Sequence, residues 1–202
     1  MERTFRAAVT LTVALLLTLT LASGVASSAQ PRLSSELVSI SQMPKGWSVI
    51  KPTGTVQDGC LSNVVSLGRG LIAKGIQQTS FARVVFQYGQ SLPAAGEMLA
   101  SYANATGAYA KILASLSTCK HVSGDMLGAT VVGTIKKKSF AHVGNESQAF
   151  SAITTIKGNN IAIDILLVRK GGVIACLMEG GLPNFDVHQF QNLATKALAK
   201  IH

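Results

Sequence analysis

Few residues in this sequence are grouped in a way that could do chemistry. The four histidines, His121, His142, His188 and His202, contain no pair at the i, i+3 or i+4 spacing of a metal site, and no Cys-x-x-Cys occurs. No metal and no cofactor is expected. Cys119 and His121 would make a nucleophile and base only if Cys119 were a free thiol. There is no Gly-x-Ser-x-Gly elbow and no dinucleotide fingerprint, and the glycine-rich "GRGLIAKG" at 68–75 lacks the preceding strand that a phosphate loop needs. No catalytic residue is assigned, and a non-enzyme is expected. What remains is a handful of charged side chains in apolar, strand-like surroundings: Arg83 in "FARVVFQYG", Glu146 in "HVGNESQAF", and Asp164 and Arg169 in "NIAIDILLVR". These four are the candidate ligand-binding residues. The Glu146 loop allows two readings. In one, Gly144 supplies an unusual backbone angle and Glu146 receives backbone N–H groups in a tight turn. In the other, Glu146 and Asp164, on neighbouring strands, line a polar groove on the open face of a sheet.

Such a site would lie outside the cytosol. Arg3 and Arg6 precede an apolar, uncharged run from Ala7 to Leu21, and small polar residues follow; this is the order of a secretory signal peptide, with the cut expected after Ala29. An uncleaved anchor is the alternative, and the only expected route to a membrane, since a bilayer span takes about 20 apolar residues. Residues 30–202 are expected to form one domain, secreted or held in the cell envelope. Removing Glu2, Arg3 and Arg6 leaves 16 basic and 8 acidic residues. The one dense basic run is Lys136-Lys137-Lys138, and aromatics make up 5% of the chain, so no nucleic-acid partner is expected. Adhesion to an anionic envelope surface is the charge-based alternative.

Export makes the three cysteines informative. Cys60 follows the turn-like "QDG" and Cys119 closes a helical run, whereas Cys176 sits inside the apolar "GVIACLM". A Cys60–Cys119 disulfide is expected, with Cys176 a buried thiol acting as a small hydrophobe. Closing a loop of that length contributes roughly 4 kcal/mol in the chain-entropy model.

The elements that must hold these residues follow from periodicity. "SSELVSISQMP" is expected to be helical, with Leu37, Ile40 and Met43 on one face and Pro44 as its end. Residues 53–80 are expected to be mostly irregular. In "FARVVFQYG", Ala82, Val84, Phe86 and Tyr88 share one face of a strand. "SLPAAGEMLASYANATGAYAKILASLSTC" predicts helix, capped near Ser91, with Gly107 as a place to split it and Leu99, Tyr102, Tyr109, Ile112, Leu113 and Leu116 at helical spacing. Strands are predicted at 129–135, 148–156, 160–169 and 173–178, joined by "KGNN" and "KGG" turns. A two-residue turn at Lys170-Gly171 would set Ile165 opposite Cys176, on the helix-packed face, and would leave Asp164 on the hydrated one. The last helix carries a capping-box pair, Asp186 and Gln189, a Phe185–Phe190 staple and a buried stripe through Val187, Phe190, Ala194, Ala197, Leu198 and Ile201. The expected architecture is α+β: an antiparallel sheet of about five strands with helices packed on one face.

The order "MPKGW" (43–47), "ARVVFQYGQSLPAAGEMLASYA", "LSTCKHVSG", "VGNESQAF", "IDILLVRKGGVIACL" and a terminal amphipathic helix resembles the PknH-like extracellular sensor-domain family, over most of residues 35–202. Such domains occur on actinobacterial receptor kinases and as stand-alone exported proteins. The resemblance implies an antiparallel sheet flanked by helices, a cleft, and binding of a ligand without catalysis. Asn145 stands where the related loop commonly has an acid, and three cysteines allow one disulfide where the kinase domains tend to carry two. The ligand classes to consider are a small molecule, an envelope lipid or glycan, and a peptide. A structural or adhesion protein of the envelope and a small hydrolase are the competing readings.

Overall fold

The computed structural model describes residues 33–51, 58–59, 65–66, 70–90, 92–120, 122–126, 129–156, 159–182 and 187–202. The expected leader (1–29), Cys60, His121, the "KG" of the "KGNN" turn, and the Phe185 and Asp186 of the last helix's cap lie outside them. Eleven strands are present among the described residues: β1 (Trp47–Val49), β2 (Asp58–Gly59), β3 (Val65–Ser66), β4 (Gly70–Leu71), β5 (Gln78–Tyr88), β6 (Ala94–Tyr102), β7 (Val122–Met126), β8 (Ala129–Lys138), β9 (Glu146–Ile156), β10 (Asn159–Lys170) and β11 (Val173–Gly181). The helices are α1 (Leu33–Glu36), α2 (Ala105–Thr118) and α3 (Val187–Lys200), with a 3-10 turn at Ile40–Gln42. Among the described residues no helix is long and apolar enough to cross a membrane.

Nine strands form one antiparallel sheet in the order β1-β5-β6-β11-β10-β9-β8-β7-β2; β3 and β4 pair separately. The fold is α+β as expected, but the sheet is larger than the five strands the sequence suggested. Seven of its strands are at least five residues long. β7 to β11 form a continuous meander, and β11 closes back on β6. The chain from β6 to β7 must therefore pass over β11, β10, β9 and β8, and α2 lies along that crossing.

The helices also do not share a face. α2 buries Ala108, Tyr109, Ile112 and Leu116 with Ile165, Leu167, Ile174 and Cys176. α3 buries Phe190, Leu193, Ala194, Ala197, Leu198 and Ile201 with Leu166, Val168, Ala175 and Leu177 on the other side. The reason is visible in β10 and β11, whose apolar residues run without alternation: both faces are covered, so both parities must be apolar. The α3 stripe follows the expected positions wherever side chains are described. Lys170 Nζ caps the end of α3 by donating to Leu198 O at 3.0 Å and Ile201 O at 2.7 Å, a cation where the helix dipole is negative.

Three local expectations need correction. The run 91–119 is not helical throughout: its first part is β6, sandwiched between β5 and β11. Alanine favours helix, but strand pairing on both sides overrides that preference. Helix α2 begins later, at Asn104, whose Oδ1 accepts the Gly107 N–H at 2.9 Å; Gly107 belongs to this cap region and does not split the helix. The stretch 34–43 is two short turns, with Ile40 43% exposed. The β10–β11 turn is Gly171-Gly172, so Cys176 faces Leu167 and Ile165 faces Met178; a shift of two keeps Cys176 on the same face.

Candidate functional site

Cross-strand register decides which charged residues meet. Glu146 and Arg169 are direct partners on β9 and β10, and Arg169 Nε donates to Glu146 Oε2 as an ion pair. Arg169 Nη1 also donates to Gly171 O at 3.2 Å. The neighbouring loop is tied down by Asn145: its N–H donates to Arg169 O at 2.8 Å, and its Oδ1 accepts the Gly171 N–H at 2.7 Å. It is thus Asn145 that receives a backbone N–H here, and Glu146 that takes a guanidinium. Both lie on the α2 face, near Tyr109, whose hydroxyl pKa is pushed up to about 12 by burial and further raised by Glu146, with Arg169 opposing.

Gly144 fixes the loop's approach. It has φ +69°, and a Cβ there would fall 2.6 Å from Val168 Cγ1 and 2.7 Å from Arg169 O. Gly171 has a similar φ of +57° but open space around it. Gly144→Ala is expected to cost about 3 kcal/mol and Gly171→Ala about 1 kcal/mol, because both bear the left-handed backbone penalty but only the first adds a clash. Chemical denaturation of the two variants checks the difference; equal costs would show that the loop relaxes freely.

Asp164 is on the opposite face and is not hydrated. It is 4% exposed, beneath the α3 side of the sheet, with Ser151 and Glu179 as its cross-strand neighbours. Lys138 Nζ reaches its Oδ2 at 2.5 Å. Glu179, also buried, accepts from Gln189 Nε2 at 2.9 Å. The groove shared by Glu146 and Asp164 therefore does not exist: the sheet lies between them. Arg83 is on β5, opposite Met98, three strands away from β10 in the sheet order, and its Nη1 is buried without a hydrogen-bond partner among the described residues. Of the four candidates, the structure brings together Glu146 and Arg169 only.

Among the concavities formed by the described residues, two are open to solvent. One, of about 340 Å³, is lined by Leu71, Ile72, Ala73, Ile76, Gln78 and Tyr102; Tyr102 donates its hydroxyl to Leu71 O at 2.6 Å, so its polar tip is occupied. The other, of about 420 Å³, is formed between residues 34–40, Val49, the Arg83-Val84 portion of β5 and Lys200 at the end of α3. Its rim is apolar, with Ile40 43% and Val49 54% exposed. Its wall is the strap of residues 33–43, anchored by buried Leu33 and Val38.

Glu97, on β6, lies under that strap and is fully buried. Its Oε2 accepts the Val38 N–H at 2.6 Å. Burial pushes its pKa up from 4.5 to about 7, against the Val38 hydrogen bond and the Lys200 charge, and with the Glu36 charge adding to the rise. Sequence reading missed Glu97 because it put the surrounding stretch in a helix and did not single the residue out; as a strand residue among Ala95, Leu99 and Ala100 it is fully buried. Among the described residues, no cluster of three metal-ligating side chains occurs. Cys119 is disulfide-bonded, and Cys176 is a buried free thiol with its pKa raised to about 12 by burial, and so unreactive. Cys60, the expected partner of Cys119, lies outside the described residues.

An antiparallel sheet with a helix on each face and a strap along one edge defines an α+β class with a crossing helix. No family model matches the sequence, and no curated protein matches it. The fold is similar to the crystal structure of the extracellular domain of PknH from Mycobacterium tuberculosis: TM-score 0.63 over 85% of this chain and 95% of that one, at 12% identity. This likeness is one of fold.

Proposed function

We propose that this chain is a secreted or cell-envelope, non-catalytic, sensor-like domain that binds a ligand in the groove between its strap, β5 and the end of α3. The observation carrying this reading is the likeness to a domain described as extracellular, over 85% of this chain and 95% of that one. The disulfide-bonded Cys119 and the leader-like residues 1–29 agree with an oxidising compartment. The groove's mixed lining, with apolar Leu37, Ile40 and Val49 beside Ser34, Ser35 and Lys200, suits a small molecule, envelope lipid, glycan or peptide carrying both apolar and polar parts.

A thermal-shift panel of those classes tests it. At about a hundredfold excess over Kd a ligand stabilises by about 2.7 kcal/mol, a shift of roughly 5–10 °C for a domain of this size. The shift is expected to vanish in Ser34→Trp, which fills the groove, and to persist in Glu146→Ala. Loss in Glu146→Ala alone would move the site to the α2 face. The second reading, adhesion by a basic surface, draws on the net charge of +9 and exposed Lys136 and Lys137; any polyanion would then bind, and salt would abolish it.

A further inference from the structure

Three polar contacts among those of the described residues tie the strap that walls the groove to the body. Val38 N–H donates to Glu97, Lys200 Nζ donates to Leu37 O, and Lys196 Nζ donates to Gln42 O at 2.5 Å. The two lysine contacts pair an ammonium with a carbonyl. The Glu97 contact differs. Glu97 Oε1 and, on the strap itself, Glu36 Oε2 are both buried and without hydrogen-bond partners among the described residues. Glu36 from α1 opposes the ionisation of Glu97, and Lys200 from α3 favours it. The strands on either side set Val84 of β5 and Leu177 of β11 directly against it, and the buried Glu179 of β11 lies one step along the same face, opposite Ala95. β1 brings no charged residue, and Lys196 on α3 is exposed and engaged with Gln42. Two buried carboxylates with two bare oxygens and one ammonium between them are costly in a dry setting. One proton removes a charge and turns a bare oxygen into a donor.

We propose that a single proton held by Glu97 locks residues 33–43 onto the sheet, and that its loss loosens the strap and with it the wall of the groove. This rests on the groove-binding reading only for its consequence to a ligand; the strap's response stands by itself. The sign follows from burial. Burial raises the Glu97 pKa from its ordinary 4.5 to about 7, against the Val38 hydrogen bond; a strap that lifts and lets water reach Glu97 returns it toward the ordinary value, so the docked strap binds the proton more tightly than the released one. The docking advantage is complete below the lower value and lost as pH rises through the upper one.

Hydrogen exchange of the Leu37–Ile40 amides in the full chain, corrected for intrinsic rates, reads this directly, and Trp47, the only tryptophan, buried beside the strap and edge-on to Tyr88, reports by fluorescence. Between about pH 5.5 and about pH 8, protection is expected to fall at least about tenfold, with a red shift of emission. Glu97→Gln, neutral at every pH, is expected to hold the strap at both. Unchanged wild-type protection, or the same pH response in Glu97→Gln, overturns the proposal. Infrared spectroscopy of the unmodified protein gives a measure that needs no variant: a buried carboxylic-acid band present at the lower pH and lost at the higher supports it, and no such band overturns it. Groove binding of pH-independent affinity would overturn this inference and leave the binding reading intact. A switching strap with no groove ligand would do the reverse.

Discussion

Phe190→Ala is expected to destabilise the protein by about 3–5 kcal/mol, lowering the thermal midpoint by roughly 6–20 °C at about 2–4 °C per kcal/mol. Phe190 is 2% exposed and sits in the first half of α3, edge-on to Phe140 with ring centroids 6.0 Å apart. It shares a cluster with Leu166, Val168 and Leu177 from the two central strands. An exposed helix would gain little from a phenylalanine; here the ring fills the space between helix and sheet, and truncation leaves a cavity that the rigid strands beneath cannot close. The exposed Thr195→Ala on the same helix is expected to change stability by less than about 0.5 kcal/mol. Denaturant melts of both variants check the contrast. A loss below about 1 kcal/mol for Phe190→Ala would mean that α3 is not the cover of this face.

How much of this was legible depends on which signal each element carried. The α3 stripe was readable because its environment is two-sided: apolar toward the sheet, water outward, so periodicity alone finds it. β10 and β11 were readable as strands, but the unbroken apolar run Ile165 to Val168 also said that both sheet faces are covered, and a one-sided packing scheme ignored it. Asp164 was misplaced for that reason, being assigned to water when its parity faces α3. β6 was misread because Ala94, Ala95 and Ala100 favour helix and Leu99 and Tyr102 happen to fall three apart; only pairing with β5 and β11, a long-range fact, makes it a strand. Glu97 went with it. The signal that could have found Glu97 is a single acid inside an otherwise uncharged stretch from Phe86 to Ala110, where nothing local neutralises it. The Glu146–Arg169 pair was within reach of the sequence, because register follows once the two strands and their turn are known.

Lys138→Met is expected to cost about 3–5 kcal/mol, more than Asp164→Asn at about 1–2 kcal/mol, although both remove the same ion pair. The asymmetry comes from where each charge is left. The Lys138 side chain is 34% exposed and the Asp164 side chain 6%. A lysine without its partner turns its ammonium to water along a flexible stem. An aspartate without its partner stays between strands with another acid, Glu179, directly opposite. Removing both charges by Lys138→Met with Asp164→Leu is then expected to recover most of the loss, since the cost lies in the uncompensated buried carboxylate and not in the absence of an attraction. A double-mutant cycle by chemical denaturation reads the coupling. If the lysine variant costs no more than the asparagine one, Asp164 has a route to solvent or to another donor, and the face beneath α3 is wetter than its packing indicates.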